Sequence, residues 1–261
     1  SVVVDSLAGL NALKENLSYE RSIGLLVDFD VEMGRTGTRE IETILSILDG
    51  IESDERFFFQ GLQHYAGHLM HIPSYESRKE KSLRSWGAVT QVLTKLEARG
   101  VKCCTVTGGG TGTYDIDSDV QCITDLQVGS YIFMDEEYRL IGARESEFFE
   151  DFDVSLTMAC TAISQPRPGA ITMDGGYKSF ASETVEPVAI DLPGARFKFA
   201  GDEHGVLLLK PGEQELSLGN VVQFVTPHCD PTVNLHDVYW VQQEDGLIHS
   251  WWPVSARGCF W

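Results

Sequence analysis

Residues 23–60, IGLLVDFDVEMGRTGTREIETILSILDGIESDERFFFQ, contain the pattern that determines the class of fold. The apolar run Ile23–Phe29 is typical of a fully buried strand, and the apolar residues of Arg39–Leu48 recur at helical spacing. A second apolar run occupies Phe57–Gln60. A strand, a helix and a strand in this order indicate parallel strands joined by a crossover helix, so the stretch predicts an α/β fold.

The alternation of strands and helices continues on both sides of this stretch. Three more buried strands are predicted at Val2–Val4, Val101–Val106 and Tyr131–Met134, and two more helices at Leu7–Leu17 and Leu83–Ala98. Five strands are fewer than the eight of a complete α/β barrel, which takes about 250 residues. This half of the chain is therefore either an open sheet or the later part of a barrel, about its last five strands.

Strand-like stretches follow one another without helices after about Glu147, and turns rich in Gly and Pro separate them. The stretches are Val154–Ser164, Ala170–Met173, Val188–Asp191, Phe197–Phe199, Val206–Lys210, Val221–Val225 and Val238–Gln243. The change of pattern predicts an α/β domain over residues 1–146 and an all-β domain over residues 147–261.

The composition excludes several classes of protein. Hydrophobic residues make up 43% of the 261 residues, which is enough to fill a core. With 39 Asp and Glu against 20 Lys and Arg, the net charge of −19 opposes binding to nucleic acid and to anionic lipid. No apolar run approaches the roughly 18 residues of a membrane span. Six Cys without CxxC spacing are typical of reduced thiols in a cytoplasmic protein.

The strongest local signal is TGGGTGTY, residues 107–114, directly after a predicted strand. Consecutive glycines let backbone N–H groups converge without obstruction by Cβ atoms, so the loop is a candidate phosphate cradle. The spacing of the glycines matches neither a dinucleotide fingerprint nor a Walker loop, and a plain flexible turn is the alternative. Its position at the carboxyl end of a strand favours a function. Gly129, Ser130 and Tyr131 are candidates for a second edge of the same cradle.

A candidate metal site lies in the motif PHCDP, residues 227–231. In an extended backbone His228 and Asp230 point to one face. An imidazole and a carboxylate suit Mn²⁺ or Mg²⁺ better than Zn²⁺. Taken alone, a pair of this kind is more often structural, so the motif needs support from the rest of the chain.

Candidate bases and cations follow the first predicted strands. His64, His68 and His71 come after the strand that begins at Phe57, and any of them is a candidate general base. Their chemistry does not distinguish the three. Arg35 follows the strand of residues 23–29 and is a fixed cation that can hold an anionic oxygen.

Taken together, these motifs resemble the metal-activated fold-type III pyridoxal-phosphate enzymes, the family of D-threonine aldolase, 3-hydroxy-D-aspartate aldolase and D-serine dehydratase. The resemblance runs along the whole chain. It rests on RTG after DFDV, GLQHYAGHLMH, TGGGTGTY, GSYIFMDEEY, DGGYKSF, GDEHG, PHCDPTVNLHD and the terminal ARG. It implies an alanine-racemase-like fold, which is an α/β barrel followed by a β domain.

The resemblance also implies roles for the candidate residues. Arg35 would bind the phenolic oxygen of pyridoxal 5'-phosphate, Tyr65 would lie beside its ring, and His71 would be the base near the substrate hydroxyl. His228 and Asp230 would hold the divalent metal. The residues that would hold the cofactor phosphate are Thr107, Gly109, Gly110, Gly129, Ser130 and Tyr131.

The implied activity is retro-aldol cleavage of a D-β-hydroxy-α-amino acid, such as D-threonine or 3-hydroxy-D-aspartate, to glycine and an aldehyde. The family is usually homodimeric. A D-serine or D-threo-3-hydroxyaspartate dehydratase is the alternative, but these dehydratases typically have Cys where this chain has Asp230, which favours the aldolase. A non-catalytic cofactor-binding protein and an inactive fragment are further alternatives.

The sequence departs from the family pattern at the lysine that binds the cofactor. The family's Schiff-base lysine lies on an early barrel strand in a segment resembling RPHxKTHK, and no such segment occurs in this sequence. Lys178 belongs to the DGGYK turn, which the family has in addition to that lysine. Together with the five predicted strands and a start without Met, this leads us to expect a chain truncated at its N-terminus.

Overall fold

The computed structural model describes residues 1–18, 22–181, 184–210, 212 and 215–259. The chain divides into two compact units, residues 1–129 and residues 130–261. Within the described ranges, none of the helices has the length and apolar character needed to cross a membrane. The predicted boundary between residues 146 and 147 falls inside the second unit and remains a prediction.

The first unit contains one parallel sheet of five strands, and the order of the strands in the sheet follows their order in the chain. The strands are β1 (Val2–Val4), β2 (Ile23–Asp28), β3 (Phe57–His64), β4 (Thr105–Gly108) and β5 (Asp125–Leu126). The helices are α1 (Leu7–Asn16), α2 (Ile41–Glu52), α3 (Tyr75–Ala98) and α4 (Tyr114–Asp117). Sequential parallel strands with crossover helices are the arrangement of neighbouring strands in an α/β barrel.

A buried apolar face explains helix α2, and an N-terminal cap explains where helix α3 begins. Helix α2 buries Ile44, Ile47, Leu48 and Ile51, whose spacing of three and four residues makes one apolar face. Helix α3 begins earlier than predicted because the hydroxyl of Ser74 accepts the backbone N–H of Ser77 and so caps the first turn.

In the first half, the strand predicted at Val101–Val106 begins later than predicted, as β4, and the strand predicted at Tyr131–Met134 is wrong. Residues 101–104 are not in a strand, because they follow the end of α3, where Gly100 has φ +75 and the N–H of Val101 donates to Leu96. Residues 130–132 form a 3₁₀ turn, and the fifth strand is β5 instead. Tyr131 and Ile132 are 39% and 54% exposed, so this apolar run does not mark a buried strand.

The second unit contains a six-stranded antiparallel sheet in the order β8-β11-β6-β7-β10-β9, and a separate hairpin of β12 and β13. The strands are β6 (Thr157–Arg167), β7 (Ala170–Met173), β8 (Val188–Ala189), β9 (Arg196–Phe199), β10 (Gly205–Leu208), β11 (Val221–Val225), β12 (Val238–Gln242) and β13 (Ile248–Pro253). Phe180, Phe197 and Phe224 meet edge to face in the core of this sheet.

Two short helices and one strand of the second unit were not predicted, and of the helices only α6 lies within the predicted all-β range. Helix α5 (Glu136–Arg139) follows Asp135, whose side chain accepts the N–H of Tyr138. Helix α6 (Cys229–Val233) interrupts the β region directly after His228. Strand β13 was not predicted, and its residues are all exposed.

Candidate active site

The candidate residues of the first unit follow the carboxyl ends of three neighbouring strands. Arg35 comes after β2, Tyr65 and His71 come after β3, and Gly109 comes after β4. Because β2, β3 and β4 are parallel, these residues lie toward the same edge of the sheet. This edge is where α/β barrels carry their active sites.

Arg35 and Tyr65 are in contact. The guanidinium carbon of Arg35 lies 5.1 Å from the centroid of the Tyr65 ring, and both residues line one small pocket together with Asp28. Such a cation–π contact orients the exposed Arg35 side chain without neutralising its charge. Arg35 therefore remains able to bind an anionic oxygen.

Carboxylates hold the loop that carries Arg35. Asp30 accepts hydrogen bonds of 3.0 Å from two backbone N–H groups of the loop. Asp28 accepts one of 2.6 Å from the hydroxyl of Thr36, and Asp5 accepts the N–H of Gly37 at 3.2 Å. The sequence pattern identified Arg35 but not these three aspartates. They lie at or just after the ends of strands, where aspartate is also common in ordinary turns.

The glycine-rich loop has buried backbone N–H donors. Gly109 and Gly110 are buried, and among the described residues neither backbone N–H has a hydrogen-bond acceptor. Gly109 has φ +69, a conformation that favours glycine. Unpaired buried N–H groups are costly, so the loop fits an anion such as a phosphate. Thr107 lies at its start, where its hydroxyl oxygen accepts the side-chain amide of Gln127 at 3.2 Å.

Two buried charged side chains that the sequence did not indicate support this loop. The carboxylate of Asp117 accepts hydrogen bonds from Ser82, Trp86 and Thr113, and its burial raises the pKa of Asp117 above the usual value. The guanidinium of Arg78, which is fully buried, donates to the backbone carbonyl oxygens of Gly112 and Ile72 at 2.6 Å each. Arg78 thus joins the glycine-rich loop to the segment that carries His71.

The three histidines have different surroundings. His64 is 1% exposed, stacks on Trp86 with ring centroids 4.0 Å apart, and has Nε2 3.1 Å from the hydroxyl of Ser85. Burial lowers the pKa of His64 to about 4. His64 therefore belongs to the core, whereas His68 and His71 are exposed.

Acid is expected to destabilise the first unit through His64. The pKa of His64 is about 4 in the folded state, against about 6.5 in an unfolded chain. The unfolded state binds the proton more tightly, so stability is complete above about pH 6.5 and falls as the pH falls toward 4. Between about pH 7.5 and about pH 5, the protein should lose about 2 kcal/mol more unfolding free energy than its His64→Phe variant.

Urea denaturation at the two pH values measures this difference. His68→Gln is the control, because His68 is exposed and its charge is the smallest of the effects on the pKa of His64, so this variant should keep most of the pH dependence of the unsubstituted protein. An identical pH dependence in His64→Phe would contradict the burial of a neutral imidazole.

His228 and Asp230 lie close together in the second unit, although not in the predicted way. The motif is not extended, because His228 precedes α6 and Asp230 lies in the first turn of that helix. The Nε2 atom of His228 is still 3.6 Å from Oδ2 of Asp230. The hydroxyl of Ser130 donates a hydrogen bond of 2.7 Å to the same Oδ2 atom.

A buried carboxylate occupies the other side of the His228 ring. The Nδ1 atom of His228 lies 2.8 Å from Oδ2 of Asp135, which is not exposed at all. Burial alone would raise the pKa of Asp135 and lower that of His228. Burial is the largest single effect on each group, but the hydrogen bonds and opposite charges around them together outweigh it, so the pKa of Asp135 is lowered and that of His228 is raised.

Cys229 belongs to the same cluster. Atoms of Asp135, His228 and Cys229 that could bind a metal ion lie within 4.8 Å of one another. Among the described residues, this is the one cluster of three such side chains. Cys229 is fully buried, and burial raises the pKa of its thiol far above the usual value.

The predicted second edge of the phosphate cradle has mixed exposure. Gly129 is exposed and Ser130 is buried, with its hydroxyl proton directed to Asp230. The ring of Tyr131 lies 5.4 Å from that of Phe152. The contact of these three residues with a phosphate remains a prediction.

Known families match most of the chain. The model of the alanine racemase, N-terminal domain, matches residues 1–137, which are more than half of the chain. The chain belongs to this family. The serine dehydratase domain model matches residues 155–242, in the second unit.

Curated members include aldolases. The chain is 35% identical over 259 residues to D-threonine aldolase from Arthrobacter sp, covering 99% of the chain and 67% of that relative. It is 32% identical to 3-hydroxy-D-aspartate aldolase from Paracoccus denitrificans, covering 98% of the chain and 65% of that relative. The chain thus spans about two thirds of the length of these relatives.

Solved structures confirm the fold. D-threonine aldolase from Filomicrobium marinum superposes with a TM-score of 0.93 at 29% identity, covering 99% of the chain and 70% of that structure. D-threo-3-hydroxyaspartate dehydratase from Delftia sp. HT23 gives a TM-score of 0.76 at 22% identity, covering 97% of the chain and 71% of that structure. The predicted alanine-racemase-like fold, a parallel α/β sheet followed by an antiparallel β domain, is therefore confirmed.

Proposed function

We propose that this protein is a pyridoxal 5'-phosphate- and divalent-metal-dependent lyase that cleaves a D-β-hydroxy-α-amino acid to glycine and an aldehyde. The substrate is of the D-threonine or 3-hydroxy-D-aspartate type. The observation that carries the proposal is the similarity to D-threonine aldolase, at 35% identity and a TM-score of 0.93 for two different relatives. The chemistry of the residues in each unit supports it.

The first unit offers groups that fit the cofactor. The unpaired N–H groups of Gly109 and Gly110 fit its phosphate, and Arg35 beside Tyr65 fits its phenolic oxygen. Thr107 and Gly129 of this unit are also proposed to hold the phosphate, as are Ser130 and Tyr131, which belong to the second unit. When bound, pyridoxal phosphate supplies an electron sink for the bond that breaks at Cα.

The second unit offers ligands for the metal. The Nε2 atom of His228 and the carboxylate of Asp230, 3.6 Å apart, would hold the ion. A nitrogen and an oxygen donor favour Mn²⁺ or Mg²⁺ over Zn²⁺. When bound, the ion supplies positive charge for the β-oxygen of the substrate.

His71 is the proposed base. It accepts the proton of the β-hydroxyl while the Cα–Cβ bond breaks, so that the β-oxygen becomes the carbonyl oxygen of the aldehyde. A proton is then returned to Cα, and glycine leaves. His64 is unsuitable for this role because it is buried and has a pKa of about 4, which leaves it a weak base.

The reaction itself is the first test. The protein, expressed from its complete reading frame and supplied with pyridoxal phosphate and Mn²⁺, should convert D-threonine to glycine and acetaldehyde and leave L-threonine unchanged. Amino-acid analysis and an aldehyde-trapping assay measure the two products. Ammonia and a keto acid in place of glycine would instead identify a dehydratase, for which the match to the serine dehydratase domain is the supporting observation.

The resemblance to the family also leads us to propose a homodimer located in the cytoplasm.

A further inference from the structure

Two side chains of one short segment contact the two proposed metal ligands. Ser130, at the start of the segment, donates its hydroxyl proton to Oδ2 of Asp230 at 2.7 Å. Asp135, at its end, accepts a hydrogen bond from Nδ1 of His228 at 2.8 Å. Both Ser130 and Asp135 are buried, and the side chain of His228 is 24% exposed, whereas that of Asp230 is 62% exposed.

Three donors of the protein hydrogen-bond to the carboxylate of Asp135. Its Oδ2 atom accepts the backbone N–H of Cys229 at 2.8 Å in addition to the His228 ring, and its Oδ1 atom accepts the N–H of Tyr138 at 2.9 Å. Both oxygens therefore have partners, although Asp135 is close enough to His228 and Cys229 to be counted among possible metal ligands. An oxygen with two N–H donors has little remaining capacity to bind a metal ion.

The hydrogen bond to Asp135 determines which nitrogen of the neutral His228 ring carries the proton. A proton on Nδ1 donates to the carboxylate, so Nε2 carries the lone pair. Nε2 is the atom that lies 3.6 Å from Asp230. A carboxylate on the far nitrogen of a metal-binding histidine fixes the orientation of the ring and makes its free nitrogen a better ligand.

We infer that Asp135 and Ser130 are positioning residues of the metal site, Asp135 acting through His228 and Ser130 acting through Asp230. The inference rests on the proposed function, since it takes His228 and Asp230 as the metal ligands. It assigns Asp135 and Cys229 no contact with the ion. It also assigns the hydroxyl of Ser130 to Asp230, so that any contact of Ser130 with the phosphate would be made by its backbone.

Manganese binding tests the inference without any measurement of activity. Mn²⁺ is titrated into the chelator-treated protein and followed by calorimetry and by electron paramagnetic resonance. The dissociation constant for Mn²⁺ should rise 10- to 100-fold in Asp135→Asn, the usual scale for losing such a partner, and less in Ser130→Ala. The ¹⁵N spectrum of the imidazole should show a proton on Nδ1 of His228 in the unsubstituted protein and lose that preference in Asp135→Asn.

Two further variants separate positioning from ligation and from simple damage. Glu136→Gln changes the neighbouring carboxylate, which pairs with Arg139 at 3.0 Å, and should leave Mn²⁺ affinity unchanged. Cys229→Ser should also leave it unchanged, whereas a loss equal to that of Asp135→Asn would overturn the inference by making both residues ligands. Ser130→Ala removes only a hydroxyl and still tests the inference if Asp135→Asn fails to fold.

Mn²⁺ binding by the unsubstituted protein distinguishes a failure of the proposed metal site from a failure of the positioning roles. If it binds no Mn²⁺, the metal site of the proposed function is wrong. If it binds Mn²⁺ and both Asp135→Asn and Ser130→Ala bind equally well, only the positioning roles are wrong.

Discussion

Replacing His228 with alanine is expected to abolish metal-dependent cleavage, with kcat falling about 10³-fold or more. The variant loses the Nε2 atom that faces Asp230, and with it the proposed ion. Stabilisation of developing charge by a bound metal is worth several kcal/mol, which corresponds to a loss of this size. Cofactor binding should persist, because the unpaired N–H groups of Gly109 and Gly110 belong to the first unit.

The rate of glycine formation and the absorbance of bound pyridoxal phosphate measure the two effects separately. His249→Ala is the matched control, because His249 is a partly exposed histidine of the second unit that pairs with Asp245 at 3.0 Å. It should retain full activity. Undiminished activity of His228→Ala in chelator-treated buffer would remove the metal from the proposed mechanism.

Replacing His71 with alanine is expected to lower kcat by about 10²- to 10⁴-fold, the usual scale for loss of a general base. His71 is an exposed imidazole just beyond β3, in the segment that Arg78 joins to the glycine-rich loop through Ile72. Steady-state kinetics with D-threonine measure the loss, and the spectrum of the bound cofactor should stay the same.

His68→Ala is the control for this second variant. His68 is also exposed and lies in the 3₁₀ turn Gly67–Leu69, three residues before His71, so it tests whether any nearby imidazole is sufficient. Its kcat should change little. A large loss in His68→Ala with normal activity in His71→Ala would transfer the role of the base to His68.

The sequence alone predicted the elements whose pattern is local. Strand β2 lies close to its predicted bounds and α2 within a few residues of its own, because apolar spacing reports directly on burial. Strand β1 has its predicted bounds, but it is not fully buried as predicted, since Val2 and Val3 are 40% and 41% exposed. The combination of motifs also predicted the family and the alanine-racemase-like fold, both of which are confirmed. The strand predicted at Tyr131–Met134 is wrong, because an apolar run by itself does not show whether other parts of the protein cover it.

The sequence also identified the chemistry of the candidate residues but not their partners. Three adjacent histidines looked equivalent, and only packing against Trp86 made His64 part of the core. The sequence did not indicate that Arg78 is buried, because an arginine among polar residues is usually exposed. Only the structure shows its hydrogen bond to the carbonyl oxygen of Gly112.

Only the tertiary structure brought His228 to Asp135 and Asp230 to Ser130, pairs that are 93 and 100 residues apart in the chain. The sequence by itself determined which side chains can bind a metal, move a proton or accept a phosphate, because those properties belong to single residues and short motifs. Burial, the hydrogen-bond partner of His228 and the orientation of each proposed ligand were decided by packing. These properties depend on which distant segments meet, and no local pattern records that.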